Sequence, residues 1–180
     1  MDNKITDSFG IPATVAKPFV KKLVEALPDE RISIEYPHLK IANFDESELW
    51  LADIINDIDH PLDIDATKIV VNAGAEIYDK LCALLHNDIY AQLCEGRLIL
   101  TMHRNATKWN AINAVTARFK ISTLDITAFG DDINDIEMLR KCGIGIAVAN
   151  ALEEAKAAAD YICDTNDNDG VAKWIEENVL

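Results

Sequence analysis

The 180-residue sequence has no apolar run approaching the roughly 18 residues that a membrane-spanning helix needs, so no membrane association is expected. Its first residues, MDNKITDSFG, contain no basic stretch followed by an apolar one, and no secretory signal is expected either. Basic residues are few, 17 Lys and Arg against 31 Asp and Glu, and they form no cluster. Nucleic acid, which is held by grouped Lys and Arg, is therefore not an expected partner. The net charge of −14 leaves small phosphorylated substrates open, because a metal ion supplies positive charge locally. Cysteine is sparse: Cys82, Cys94, Cys142 and Cys163 stand far apart with no C-x-x-C pair. The expectation is reduced thiols in apolar surroundings, in a cytoplasmic protein. No internal repeat or low-complexity stretch is present. With 49% apolar and 27% charged residues the composition is globular, and the length suits one ordinary domain or two small ones.

The hydrophobic pattern changes character along the chain. Pro12 opens a helical stripe of Val15, Phe19, Val20, Leu23, Val24 and Leu27, and Pro28 closes it. Two alternating runs, 31–36 and 38–44, read as neighbouring strands on either side of Pro37. Asp45 with Glu48 resembles a capping box, behind which Trp50, Ile54 and Ile58 form one helical stripe. A polar connection over 56–65 leads to a strand at 68–72 and a helix around 75–85. Strands at 88–94 and 97–102 follow, with Glu95-Gly96 as the tight turn between them. This is the grammar of an α+β layer, one sheet with helices on one face. From residue 103 helices and continuous apolar strands alternate. A helix carries Ala111, Ile112, Val115 and Phe119, capped by Asn105 or Thr107. Strands at 125–130, 143–148 and 160–163 are interleaved with helices carrying Ile133, Ile136 and Leu139, near 151–159, and over 169–178. That pattern predicts a parallel sheet covered on both faces. The expected organisation is 1–102 as one domain and 103–180 as another.

The chemically informative segment is 126-ITAFGDDINDIEML-139. An apolar strand ends in Gly130, which permits a sharp exit and close backbone approach. Asp131 and Asp132 follow at its carboxyl end, where ligands sit in open parallel sheets. Asn134 and Asp135 open the next helix. Asp131 and Asp135 are four residues apart and able to face one point. Two ionised carboxylates ~4 Å apart repel by about 1 kcal/mol in water and about 4 kcal/mol at an effective dielectric of 20. A divalent cation reverses that sign, and hard oxygen ligands beside a phosphate suit Mg²⁺. Helix capping is the plainer account of any one Asp in such a place. Three acids and an Asn within five residues, directly after a strand ending in Gly, point instead to a metal or phosphate site.

The run 129-FGDDINDIEML-139, followed by 143-GIGIAVANALEEAKAAADYI-162 and 169-DGVAKWI-175, resembles the C-terminal part of the haloacid dehalogenase (HAD) superfamily, specifically its Cof-type phosphatases. The resemblance is strong over roughly residues 105–180 and rests on element order alone over 11–102. It implies an α/β fold, a partial Rossmann-like parallel-sheet core with an α+β cap domain over 1–102. It implies Mg²⁺-dependent hydrolysis of a phosphorylated sugar or similar small metabolite. Asp131 would be a direct metal ligand, Asp135 would support the metal or its water shell, and Asn134 would lie near the phosphoryl group. Lys108 stands where the family places its phosphate-binding lysine, and a cation there offsets charge on the transferring group.

The family's attacking group is an Asp in a D-x-D-G-T motif after the first core strand, forming an aspartyl-phosphate. That motif is not found in position in this sequence. The segment 63-DIDAT-67 fits part of the lettering, but it follows 60-HPL-62 instead of an apolar strand and reads as a loop. The expectation is therefore a chain with little or no phosphatase activity by itself. The strand at 125–130 would carry an unpaired apolar edge, an association hazard, so a homo-oligomer or a complementing N-terminal chain is the expected partner. The alternative is a non-catalytic, degenerate relative that binds a ligand or partner chain.

Overall fold

The computed structural model describes residues 8–44, 53–55 and 57–180. The chain divides into two compact units, 1–106 and 107–180.

In the first unit, helix α1 (Ala13–Ala26) starts directly after Pro12, whose fixed φ of −54° presets the helical entry. Its stripe buries Ala16, Phe19, Val20 and Leu23, and Leu27 follows them into the core. Strands β1 (Arg31–Glu35), β2 (Leu39–Ala42), β3 (Asp53–Ile55) and β4 (Lys68–Asn72) come next. Helix α2 (Ala75–Cys82) and strands β5 (Ile89–Cys94) and β6 (Leu98–His103) complete the unit. The sheet order is β3-β2-β1-β4-β6-β5, antiparallel except for β2 with β3. Register sets which residues share a face: Ile34 lies opposite both Ile41 and Ile69, and Val71 lies opposite Ile32 and Ile99. Those side chains form one cluster with the stripe of α1 and with Leu81 and Ile77 of α2. The α+β layer with helices on one face is thus observed. Glu95 and Gly96 turn with φ of +51° and +67°, the left-handed pair that matches hairpin twist.

One element differs from the sequence pattern. Asp45, Glu48 and Trp50, the start of the expected helix, lie outside the described residues, but Ile54 belongs to β3, paired in parallel with β2. The backbone groups of an edge strand accept further strand pairing, and β-branched Ile54 and Ile55 suit it; tertiary pairing outweighs a 3.6-residue pattern there. Ile58, expected on that helical stripe, lies in a turn instead and is buried in the core cluster.

In the second unit, helix α3 (Lys108–Phe119) is capped by Thr107, whose Oγ1 accepts the Asn110 N–H at 3.1 Å. Strand β7 (Thr127–Gly130), helix α4 (Ile136–Lys141), strand β8 (Ile144–Val148), helix α5 (Glu153–Lys156), strand β9 (Tyr161–Cys163) and helix α6 (Gly170–Asn178) follow. The three strands run parallel in the order β7-β8-β9. Two clusters hold the unit together. One joins Leu139, Ile146, Val148 and Ala155 with Phe129 and Trp174, whose rings meet edge-on at 5.6 Å. The other joins Ala128, Met138 and Cys142 with Trp109 and Ile112. The expected apolar stripe of α3 is only partly covered: Val115 and Phe119 are about half exposed. The Asp of the 143–162 motif ties the sheet together, because Asp160 Oδ2 accepts the Gly145 N–H and the Asp160 N–H donates to the Gly145 carbonyl, both at 2.8 Å. The four cysteines are free; Cys142 and Cys163 are buried, which pushes their thiols up, whereas Cys82 and Cys94 are half-buried. Among the described residues no helix is long and apolar enough to cross a membrane.

On the core face of β6, Thr101 is fully buried and its Oγ1 has no hydrogen-bond partner among the described residues. An unsatisfied buried hydroxyl costs free energy that an isosteric methyl does not. Thr101→Val is expected to stabilise the first unit by about 1 kcal/mol, read as a higher midpoint in urea denaturation.

Candidate functional site at the carboxyl end of β7

The acidic corner is assembled around a side-chain placement that only Gly130 allows. A Cβ at Gly130 would stand 2.5 Å from the Asp135 Cβ, so the strand end and the Asp135 side chain share space no other residue would leave. Beyond Gly130 the chain turns through Asp131 and Asp132 into a 3-10 turn over Ile133–Asp135 and then α4. Asp132 caps that turn, accepting the Ile133 N–H at 2.6 Å, and Asp135 returns the bond in a capping box.

Asp135 is 1% exposed. Its Oδ2 accepts the N–H groups of Asp131 (3.1 Å) and Asp132 (3.3 Å), and its Oδ1 pairs with Lys108 Nζ. A buried carboxylate is tolerable only with such partners. Lys108 is the first residue of α3, placed there by the Thr107 cap, and its side chain is half exposed. Each group of the pair thus anchors the other's element: α3 to the loop after β7. Lys141 on α4 adds a cation–π contact, its Nζ 5.2 Å from the Trp109 ring centre on α3.

Of the residues singled out in the sequence, Lys108 and Asp135 are in direct contact. Asp131 and Asn134 sit at the same turn with exposed side chains, and the Asp131 carbonyl accepts the Leu152 N–H at 2.9 Å. Among the described residues no three His, Cys, Asp or Glu side chains converge as a ready-made metal cage. The corner does present exposed oxygen donors on Asp131 and Asn134 beside a half-exposed ammonium. That donor set suits a hard cation retaining most of its waters, together with an anionic ligand. The part played by Asp135, both oxygens engaged with the lysine and the loop, was not legible in the sequence.

The remaining candidates resolve as ordinary structure. Asp63 of the D-x-D-x-T lettering is exposed and paired with Lys17, Asp65 accepts the Ala13 N–H at 3.4 Å, and Thr67 donates to the Glu35 carbonyl at 2.8 Å. The segment is a loop of the first unit. His60 lies 2.6 Å from Asp57, whose hydrogen bond and charge raise the imidazole above its usual range. A groove of about 740 Å³ along α1, lined by Lys17, Val20, Val24, Ile58 and His60, contains none of the predicted site residues. In the 164–169 loop Asp169 does not cap α6 through its side chain; it adopts φ +55°. Asp164 accepts the N–H of Thr165 (2.7 Å) and bonds from Asn168 and Lys173, and these hold its carboxyl below the usual range.

A family model described as haloacid dehalogenase-like hydrolase matches residues 26–175. An inferred phosphatase of Haemophilus influenzae is 33% identical over 125 residues, which is 66% of this chain and 48% of that protein. A 5-amino-6-(5-phospho-D-ribitylamino)uracil phosphatase of Bacillus subtilis is 44% identical over 70 residues, 39% of this chain and 28% of that protein. The chain therefore spans about half, or less, of the length of these relatives. A solved HAD subclass IIB sugar phosphatase shares the fold, with a TM-score of 0.75 at 19% identity, covering 93% of this chain and 67% of that one.

Two outcomes follow from the geometry. Asp135→Ala removes the buried acceptor of two N–H groups and is expected to cost about 2–3 kcal/mol in urea denaturation, whereas Asp131→Ala, at an exposed side chain, costs less than about 0.5 kcal/mol. Because the folded Asp164 binds its proton more weakly than the unfolded one, its contribution to stability is present above the ordinary aspartate range and is lost as pH falls through its lowered folded value. An NMR titration is expected to show a low midpoint that rises in Asn168→Ala.

Proposed function

We propose that this chain, which belongs to the haloacid dehalogenase-like hydrolases, is of the Cof type and forms the cap and C-terminal core portion of a phosphatase acting on a small phosphorylated metabolite in the cytoplasm. The observation that carries this reading is the Lys108 ammonium held by buried Asp135 at the carboxyl end of β7, next to the exposed Asp131 carboxylate. A half-exposed cation at the mouth of a parallel sheet is suited to an anionic phosphoryl group.

In this reading Lys108 offsets charge on the phosphoryl oxygens. Asp135 is a positioning residue: it fixes the ammonium and, through the Asp131 and Asp132 N–H groups, the loop that presents Asp131. Asp131 would hold Mg²⁺ directly, and Asn134 would orient the phosphoryl group. Bound there, Mg²⁺ would supply charge neutralisation of the phosphoester oxygens. Asp135 stands nearer to the lysine's support than to a free metal ligand, because both its oxygens are engaged.

Among the described residues no carboxylate outside the corner is placed to attack a phosphoryl group held there. Asp164, which follows β9, is two strands from β7 and bonded to Lys173, so it is not aimed at Lys108. The 180 residues alone are therefore expected to turn over no p-nitrophenyl phosphate, and a segment supplying a strand-terminal carboxylate beside β7 would complete the site. Calorimetric titration with Mg²⁺ tests the reading. Binding that appears, or tightens about tenfold or more, when an N-terminal HAD fragment is added, and that is lost in Asp131→Asn, supports it. Turnover by the chain alone that disappears in Asp131→Ala would overturn the expected inactivity. Absence of Mg²⁺ binding under both conditions would favour a non-catalytic relative.

A further inference from the structure

Asp131 is held through its main chain from two directions. Its N–H donates to the buried Asp135 carboxylate at 3.1 Å. Its carbonyl accepts the Leu152 N–H at 2.9 Å, from the turn that joins β8 to α5. The second bond comes from outside the acidic segment altogether. The Leu152 side chain is 44% exposed, so its main chain is the part that reaches the corner.

The turn that carries Leu152 is itself anchored. The Ala151 N–H donates to the Val148 carbonyl at 2.9 Å, and Val148, Ala151 and Ala155 are buried in one cluster with Ile146. Asn150 stands exposed at the tip of the turn, yet its Oδ1 accepts the Asn166 N–H at 3.2 Å, from the loop that follows β9. That loop is fixed in turn by Asp164, which accepts bonds from Thr165, Asn168 and Lys173. The loops at the carboxyl ends of β7, β8 and β9 are therefore tied in series, and Asp131 is the last member of the series. With an exposed side chain, Asp131 depends on its backbone for where its carboxylate stands.

A hard divalent cation tolerates little error in its ligands, and groups that orient a ligand from behind typically change metal affinity about 10–100-fold when removed. We propose that the β8–α5 turn positions the Asp131 carboxylate for its cation: the Leu152 N–H holds the Asp131 carbonyl, and Asn150 holds the turn against the loop after β9. Both are positioning groups, since each acts through Asp131. The metal role rests on the phosphatase reading of the corner; the brace rests on the hydrogen bonds alone.

Leu152→Pro removes the N–H with a ring suited to the observed φ of −60°, and Leu152→Ala keeps the N–H while removing the side chain. Asn150→Ala removes the acceptor, and Asn150→Asp keeps one. In the 180-residue chain the Asp131 and Asp132 amides, bonded to Asp135, are expected to exchange about tenfold faster or more in Leu152→Pro and Asn150→Ala, and at the wild-type rate in Leu152→Ala and Asn150→Asp. The Gly145 amide, bonded to Asp160, stays slow in all four and reports that the unit remains folded. Mg²⁺ affinity, measured by calorimetry with the N-terminal HAD fragment present, is expected to fall about tenfold or more in the first variant of each pair and to be kept in the second. Unchanged Asp131 and Asp132 exchange in Leu152→Pro and Asn150→Ala overturns the brace, as does equal loss in all four variants, which would assign the effect to side-chain packing. Faster exchange with undiminished Mg²⁺ affinity overturns the positioning role. A wild-type chain that binds no Mg²⁺ with the fragment overturns the phosphatase reading and with it the metal role, while the exchange pattern still decides the brace.

Discussion

A carboxylate taken almost wholly out of water is costly to the fold unless a cation and hydrogen-bond donors match it. Asp135 meets that condition with Lys108 on one oxygen and two loop N–H groups on the other. Much of the second unit depends on this match. It joins the start of α3 to the end of β7, defines the turn that precedes α4, and leaves Asp131 projecting from a backbone that is held in place. The requirement reaches back into the strand, because the Asp135 side chain fits only where Gly130 has no Cβ. The same contact that stabilises the fold therefore fixes where the exposed oxygen donors stand. The chemistry proposed for the corner is a consequence of that rigidity more than of any one acidic residue.

The two units solve the problem of a sheet edge differently. The first surrounds its central strands with partners and places one large apolar cluster under two helices, so its sheet reads as a finished layer. The second has three parallel strands and two small clusters, and its end strand β7 is bordered by apolar side chains that remain half exposed. Parallel sheets are ordinarily buried on both faces and flanked by further strands. Among the described residues β7 pairs with β8 alone, and the Val115 and Phe119 side chains of α3 stay half exposed.

The elements of the second unit were legible because continuous apolar strands and intervening helices leave little ambiguity of period. The corner after Phe129 was legible because acids crowd after a glycine-ended strand. The pairing of Lys108 with Asp135 was not: the two are 27 positions apart, and no local pattern reveals which carboxylate a lysine will reach. The stripe through Ala111, Ile112, Val115 and Phe119 read as core, yet part of it faces solvent, because periodicity reports which residues share a face and not whether anything covers it. Ile54 read as helical from its spacing and is a strand residue, since the open main chain of β2 offered it hydrogen bonds that spacing does not register.

Order of elements in the second unit, the acidic turn, the parallel character of the last three strands and the membership of a hydrolase family were all written in the one-dimensional pattern, because each follows from local period, local turn chemistry or a contiguous motif. The tertiary structure alone decided which of the acids is buried and paired with Lys108, and which projects toward solvent. Those outcomes depend on groups distant in sequence competing for the same space and the same hydrogen bonds, and that competition has no local signature.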